Sequence, residues 1–557
     1  MKLNINKLVF IIVCMFFIKG AFAQSQTHQE HVTIVGSFQP TLRDFTKVNI
    51  VPEIENTSFE ISETSVTIID TVLSSPIELE LITPLNLKTE ENRPNFNNFV
   101  LAGIGTRISP VFIYKHNSKL TKNTAFGLCI AHHSSWLNKK EYAPSSFMNN
   151  KLGLSLDNKF DNYLLNTKVF YKGETLRYYG FIRDDFPLIN TDLESITQKY
   201  ETFGVQSIIK SNTGSATDFY HEIGIDYQFF HDKFQKREHN ASLLVKGEKS
   251  YKWMKSNAKQ SVSLEALGNT WFSSDSLAIV NNKQLSLLPS LNLSGDFYLL
   301  KLGFSAVIHS QQNSNIHVYP ALEGGLFMLD KRLKFYAGLD GSAQRITFQK
   351  LASDNAYINS ILPEQWQHTK LNFKGGIKAL AMPGLDFNFG VEYRKTDGEA
   401  FFITDSTTLI PNKFLAVYDD VKVIGFLAEG NYQLNQRIHF KMVYRYNEYT
   451  MKRLTAAFYQ PVNQFRFSGE YVYSDKLLFT SSIFYAGERF ASTYASGLES
   501  IYILNPYVDL NVGGTYKIND SFEVFVQANN LLNWQYERFY HYPVNGVEFY
   551  GGITVRF

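Results

Sequence analysis

The last eleven residues constrain this chain most. Val547, Phe549, Gly551, Ile553, Val555 and Phe557 fall on one side of an extended strand, and Glu548, Tyr550, Gly552, Thr554 and Arg556 fall on the other. The same period of two recurs upstream. Leu371, Phe373, Gly375, Ile377 and Ala379 oppose Lys370, Asn372, Lys374, Gly376 and Lys378. Leu385, Phe387, Phe389, Val391 and Tyr393 oppose Asp386, Asn388, Glu392 and Arg394. Ile438 to Tyr446 and Val508 to Tyr516 repeat the pattern. A soluble sandwich alternates too, but with shorter strands and a polar face in bulk water. Strands of about ten residues, with Tyr or Phe near an end, suit a membrane-spanning sheet with aromatic girdles.

Turn chemistry counts the strands. Tight turns are expected at Asp161-Asn162, Asn212-Thr213-Gly214, Gly295-Asp296, Asp330-Lys331, Pro383-Gly384, Asn435-Gln436, Asp475-Lys476 and Asn519-Asp520, with weaker ones near Lys122 and Lys252. Longer irregular loops are expected at 137–147, 179–197, 346–366, 396–419, 451–463 and 490–502. Short periplasmic turns alternating with long outer loops imply a large closed antiparallel transmembrane β-barrel of about 22 strands, an all-β fold. A propeller has a similar repeat, but no blade signature recurs.

Composition agrees. Charged residues make up 19% of the 557, below the roughly 25% of soluble domains. Aromatics reach 15%, yet mean hydropathy is only −0.18, as expected when lipid-facing and interior residues alternate. Lys2 and Lys7, the apolar run Leu8 to Ile18 and Ala21-Phe22-Ala23 read as a signal peptide over 1–23, so the mature chain is expected to begin at Gln24. Residues 24–95, with Pro40, Pro52, Pro76, Pro84 and Pro94 among many acidic residues, read as a short extended periplasmic segment able to recruit a periplasmic protein. The barrel is expected over 96–557, in a Gram-negative outer membrane, with outer-membrane lipid around it and Phe557 presented to the barrel assembly machinery. A net charge of +2 without a basic run gives no reason to expect nucleic acid. Cys129, the one cysteine beyond the signal, can form no internal disulfide.

The stretch Phe522 to Trp534, with Asn530-Leu531-Leu532-Asn533, then Tyr542-Pro543 and a Gly-rich strand ending in Phe557, resembles the end of TonB-dependent receptor barrels. Leu101 to Pro110, Ala131 to Ser135 and Tyr178 to Phe181 extend the resemblance, to a plug-less branch. It implies a pore or transporter component for solute passage. The alternative is a non-transporting binding or structural barrel serving adhesion, biogenesis or secretion. That family's plug exceeds a hundred residues, and 24–95 is too short to build it; His31 to Ile54 resembles only a plug's opening.

Enzyme chemistry is not expected. His133 and Ser135, with Asn149 and Asn150 on the next strand, have the spacing of a lipolytic site, but alternation turns them to the lumen. His221-Glu222 and His239-Asn240 read as lumen or girdle pairs, and Asp184-Asp185 as a solvated loop pair. The 13 histidines look scattered. No catalytic, cofactor or metal residue is assigned. Interior rows mix Lys374, Lys378, Arg394, Lys441, Arg445, Arg466, Lys517 and Arg556 with Asp386, Glu392, Glu470, Asp509, Glu523 and Glu548. That slight basic excess implies a weak anion preference at most. Phe181, Phe186, Leu188, Phe401, Phe402 and Ile403 are expected to fold inward with the loops and constrict the barrel.

Overall fold

The computed structural model describes residues 96–557, apart from 137, 140, 187–192, 212–218, 253–257, 312, 409 and 496–497. The expected signal peptide, the segment 24–95, the turn at 212–214 and most of the turn near Lys252 lie outside the described residues. Twenty-two strands form one antiparallel sheet in chain order. The first, Asn98–Gly105, pairs with Ser109–Lys119 on one side and with the last, Glu548–Arg556, on the other. The sheet is therefore closed, and among the described residues none of its strands leaves a free edge toward lipid. At the seam the Asn98 N–H donates to the Phe557 carbonyl at 2.8 Å, and the Phe557 N–H donates back at 3.1 Å.

Alternation sorts the side chains as expected. Phe373, Ile377, Phe389, Val391, Phe440, Met442, Val512 and Ile553 are exposed on the outer face. Asn372, Asp509, Glu523 and Thr554, their inward neighbours, are buried. So continuous an exposed apolar belt is stable only against lipid. Inside, many polar groups pair with one another. Tyr336 donates to Asn388 Oδ1 at 3.0 Å, and Asn388 Nδ2 donates to Glu429 at 2.7 Å. Arg556 forms a two-pronged pair with Glu523 at 2.6 and 2.9 Å.

At one end of the barrel the tight turns fall where expected. Asn435 Oδ1 accepts from the N–H groups of Arg437 and Ile438, and Asn519 Oδ1 accepts from those of Ser521 and Phe522. Asp330 and Lys331 both take the left-handed conformation that a tight hairpin needs. Gly384 has φ +80°, and a Cβ there would lie 2.3 Å from the Gln433 carbonyl oxygen, so only glycine fits this turn.

The other end departs from expectation. Residues 396–419 are mostly strand, not loop: Leu385–Thr404 and Phe414–Asn435 run on past a bulge at Thr396/Glu399 and leave only 405–413 as connection. Phe401 and Phe402 point to opposite faces and are both buried, so the polar half of the alternation is missing and the segment does not read as a half-wet strand. Within 490–502 lies a small hairpin, Arg489–Ala495 with Leu498–Leu504. Within 346–366 lies a helix, Phe348–Asp354, whose N-cap Thr347 accepts from the Lys350 N–H.

Candidate functional site

Seven long segments join strand ends opposite the tight turns: 136–146, 178–196, 346–365, 405–413, 452–462, 487–506 and 530–547. They pack on one another across the mouth. Strand order equals chain order, so position around the ring is known for every contact. Tyr178 follows the fifth strand, whereas Asn412 joins the fifteenth to the sixteenth, almost diametrically opposite. Asn412 Nδ2 nevertheless donates to the Tyr178 carbonyl at 2.9 Å. A ring of 22 strands is too wide for opposite walls to touch, so the loops themselves span it.

Tyrosine hydroxyls hold the span together. Tyr178 donates to the Ile358 carbonyl at 2.9 Å, Tyr179 to that of Pro543 at 3.0 Å, and Tyr542 to that of Asn412 at 2.5 Å. From the wall, Tyr200 reaches Ala356 at 3.0 Å and Tyr418 reaches Pro363 at 2.6 Å. Loop carbonyls shut away from water need donors, and tyrosine supplies one at the end of an apolar ring. Burial pushes the Tyr178, Tyr179 and Tyr542 phenols well up, and that of Tyr357 up to about 12, so all remain protonated donors. Tyr357 stacks on Tyr542 with centroids 3.8 Å apart. Phe348, Ile358, Phe414, Phe458, Leu504 and Phe539 complete a buried apolar centre.

A charged frame ties this roof to the wall. Glu238 accepts from the N–H groups of Phe348 and Gln349 at 2.7 and 2.9 Å, capping the loop helix. Lys236 binds Glu364 at 2.8 Å, and Arg345 stands 3.5 Å from the same carboxylate. Gln198 donates to Asp232 at 3.1 Å and to Ser360 at 3.2 Å. At the opposite rim Lys139 donates to the Val544 carbonyl. Burial, then the nearby Arg107 charge, bring its ammonium down to about 7.

The Asn530-Leu531-Leu532-Asn533 element has a direct structural reason. Asn530 and Asn533 both adopt left-handed φ, which asparagine tolerates. Asn530 donates to the Trp534 and Asn545 carbonyls and accepts from the Trp534 N–H, folding 530–545 back on itself.

Phe181 and Phe186 pack together under the roof and Phe402 joins its buried centre with Ile403 against it, as expected, whereas Phe401 lies on the opposite face of its strand, buried against Val421 and Val423; Leu188 lies outside the described residues. Asp184 and Asp185 are exposed on a short 3-10 turn. His221 stacks on Phe219, and His239 lies between Phe229 and Phe272, both on the outer aromatic girdles; Asn240 turns inward to Gln349. His133 faces inward beside Phe147 and Tyr550.

The outward neighbours of His133 and Ser135 make the ordered chain. Asn150 Oδ1 lies 2.7 Å from His132 Nδ1, and His132 Nε2 lies 3.1 Å from Ser134 Oγ. Ser134 is 1% exposed and accepts from Trp136. Asn98, His116 and Ser118 repeat the chain at the opposite end of the wall. The same His-x-Ser triplet facing an asparagine thus recurs at both ends of the outer wall, as cross-strand girdle anchors would. The histidines are less scattered than they look: strand register brings His309, His317 and His368 together on the inner wall.

No family model matches the sequence, and no characterised protein sequence matches it. Solved structures do. The pyoverdine outer membrane receptor FpvA of Pseudomonas aeruginosa PAO1 aligns with TM-score 0.64 and 13% identity over 84% of this chain and 79% of that one. The ferric-catecholate import receptor Fiu of E. coli K12 gives 0.62 and 10%, covering 84% and 82%. The siderophore receptor PirA of Acinetobacter baumannii gives 0.63 and 10%, covering 84% and 81%. All three are receptors by name, and at 10–13% identity the likeness is one of fold.

Proposed function

We propose that this outer-membrane β-barrel, of the TonB-dependent receptor fold, is a gated transporter component that admits a small solute of the metal-chelate class through its outer mouth. Its structural neighbours are by name receptors for pyoverdine, ferric catecholate and siderophore, which supports that cargo class. The matched 84% of the chain is close to the share occupied by the barrel. The observation that carries the reading is the Asn412–Tyr178 bond across the ring, which supports closure of the mouth by its outer loops. Residues 24–95 then serve as a periplasmic contact.

The test is a reversible lock. With Cys129 replaced by Ser, Gln198→Cys and Ser360→Cys put thiols on two residues whose side chains now meet, Gln198 Nε2 to Ser360 Oγ at 3.2 Å, and a short reducible bis-thiosulfonate bridges them in the oxidised form, tying loop 346–365 to the far wall. Cells carrying the oxidised barrel should take up less chelate or dye than cells carrying the reduced one. Equal uptake in both states would count against a loop gate. Uptake no greater than in cells without the barrel, in either state, would favour the binding or structural alternative.

A further inference from the structure

We infer that the inner wall carries a binding site for a first-row divalent transition-metal ion, built by His309, His317 and His368. The site does not depend on the transport reading. Its construction follows from register. Val307 and His317 oppose each other directly in Tyr298–Gln311 and Asn313–Met328, so they share a face, and His309 lies two residues on from Val307. Val307 is 2% exposed, whereas Ile308, Ile316 and Val318 are exposed on the lipid side. His309 and His317 therefore face the interior. His368, on Trp366–Met382, meets both, with ring centroids 5.2 Å from His309 and 4.5 Å from His317.

The geometry is close to that of a loaded site. One nitrogen from each ring lies within 4.8 Å of the others. Some point is then no more than about 2.8 Å from all three, and side-chain rotations closing roughly 0.7 Å reach the 2.0–2.1 Å of a zinc–imidazole bond. A second, independent observation points to a ligand. His309 is 2% exposed, and neither of its ring nitrogens has a hydrogen-bond partner. Buried polar atoms in native proteins are seldom left so, unless an ion or water completes them.

The surroundings hold the rings in place. The Tyr319 hydroxyl lies 3.1 Å from His368 Nδ1, which leaves Nε2 as the ligating nitrogen. Trp366 stacks on His309 at 4.2 Å and sets its plane. Asp397, ion-paired with Lys370, stands opposite His368 in the next strand. Three imidazoles select zinc, copper, nickel or cobalt over magnesium or calcium, which prefer oxygen. His317 and His368 are only half-buried, so a fourth coordination position opens toward the interior.

The experiment uses the full chain without a polyhistidine tag, in detergent, titrated with Zn²⁺ and with Co²⁺ alone. One ion per barrel should bind, with a Co²⁺ visible spectrum of nitrogen ligation, unaffected by millimolar Mg²⁺. His309→Ala, His317→Ala and His368→Ala should each weaken binding at least tenfold. Tyr319→Phe should weaken it less, and His221→Ala on the outer girdle not at all. Each variant's metal-free heat modification reports folding separately. Folded variants that bind as the parent does, or a folded parent that binds no ion, would overturn the assignment. Uptake measured on the same variants keeps the two readings apart: loss of metal binding with uptake intact leaves the gate standing.

Discussion

The salt-bridged roof is most exposed to perturbation at Glu238. Its carboxylate is 1% exposed and takes the first two N–H groups of the loop helix Phe348–Asp354. In Glu238→Ala both donors lose their acceptor where water does not reach. Each buried unsatisfied donor costs about 1–3 kcal/mol. Glu364 lies nearby, so removing one carboxylate returns part of that cost. A net of about 3 kcal/mol is a reasonable centre, or roughly a hundredfold more of the undocked loop at 1.4 kcal/mol per tenfold. Glu238→Gln keeps one acceptor oxygen and should fall between. Lys350 sits inside the helix and pairs with Asp354 at 2.7 Å, so trypsin reaches it only when the loop opens. When opening is fast relative to cleavage, the rate at Lys350 follows the open population. The alanine variant should be cut roughly a hundredfold faster while its barrel stays heat-modifiable. Cleavage at the parent rate would refute the claim that this cap docks the roof.

Arginine at Val391, 52% exposed on the lipid face, should cost about 2–4 kcal/mol in denaturant titration into vesicles if the site lies at the bilayer midplane. Arginine at the inward Ser468 should cost little, and equal costs would refute the face assignment; Asn388 and Asn511 are poorer controls, because both are hydrogen-bonded. Lys139 gives a pH signature: its ammonium is brought down to about 7 in the fold, so above that value the unfolded chain holds more protons and stability rises with pH, up to the ordinary lysine value near 10.4. The midpoint of heat modification should therefore rise from pH 7 to 9.5 more steeply in the parent than in Lys139→Met, and parallel slopes would refute the assignment.

The barrel was legible because its information is local. A tight turn is written in two or three residues, such as Pro383-Gly384, and a strand's face in every second residue. The mouth is not local. Asn412 and Tyr178 stand 234 residues apart, and nothing periodic links them. The hairpin around 405–413 carries no half-wet alternation in its sequence, because both of its faces are apolar. The histidine cluster depends on three strands meeting in one register, including irregular pairing between Asp340 and Ser342, which a single-strand pattern does not contain. At 132–135 alternation assigns the faces correctly, but the ordered contacts lie on the outward pair His132 and Ser134, which spacing alone does not distinguish from the inward His133 and Ser135.

The wall is uneven in height, and the surrounding lipid has to follow it. Asn98–Gly105, at the seam, has 8 residues, whereas Phe414–Asn435 has 22. At about 3.3 Å per residue and a tilt near 40°, these rise roughly 20 Å and 56 Å. A lipid-facing band of about 25 Å is overtopped on one side and not filled on the other. Beside Ile104 and Phe549 the bilayer must therefore pinch by a few ångströms, at a fraction of a kcal/mol per Å. Two such barrels reduce that strain by sharing one thinned patch, so seams should turn toward one another in a crowded membrane.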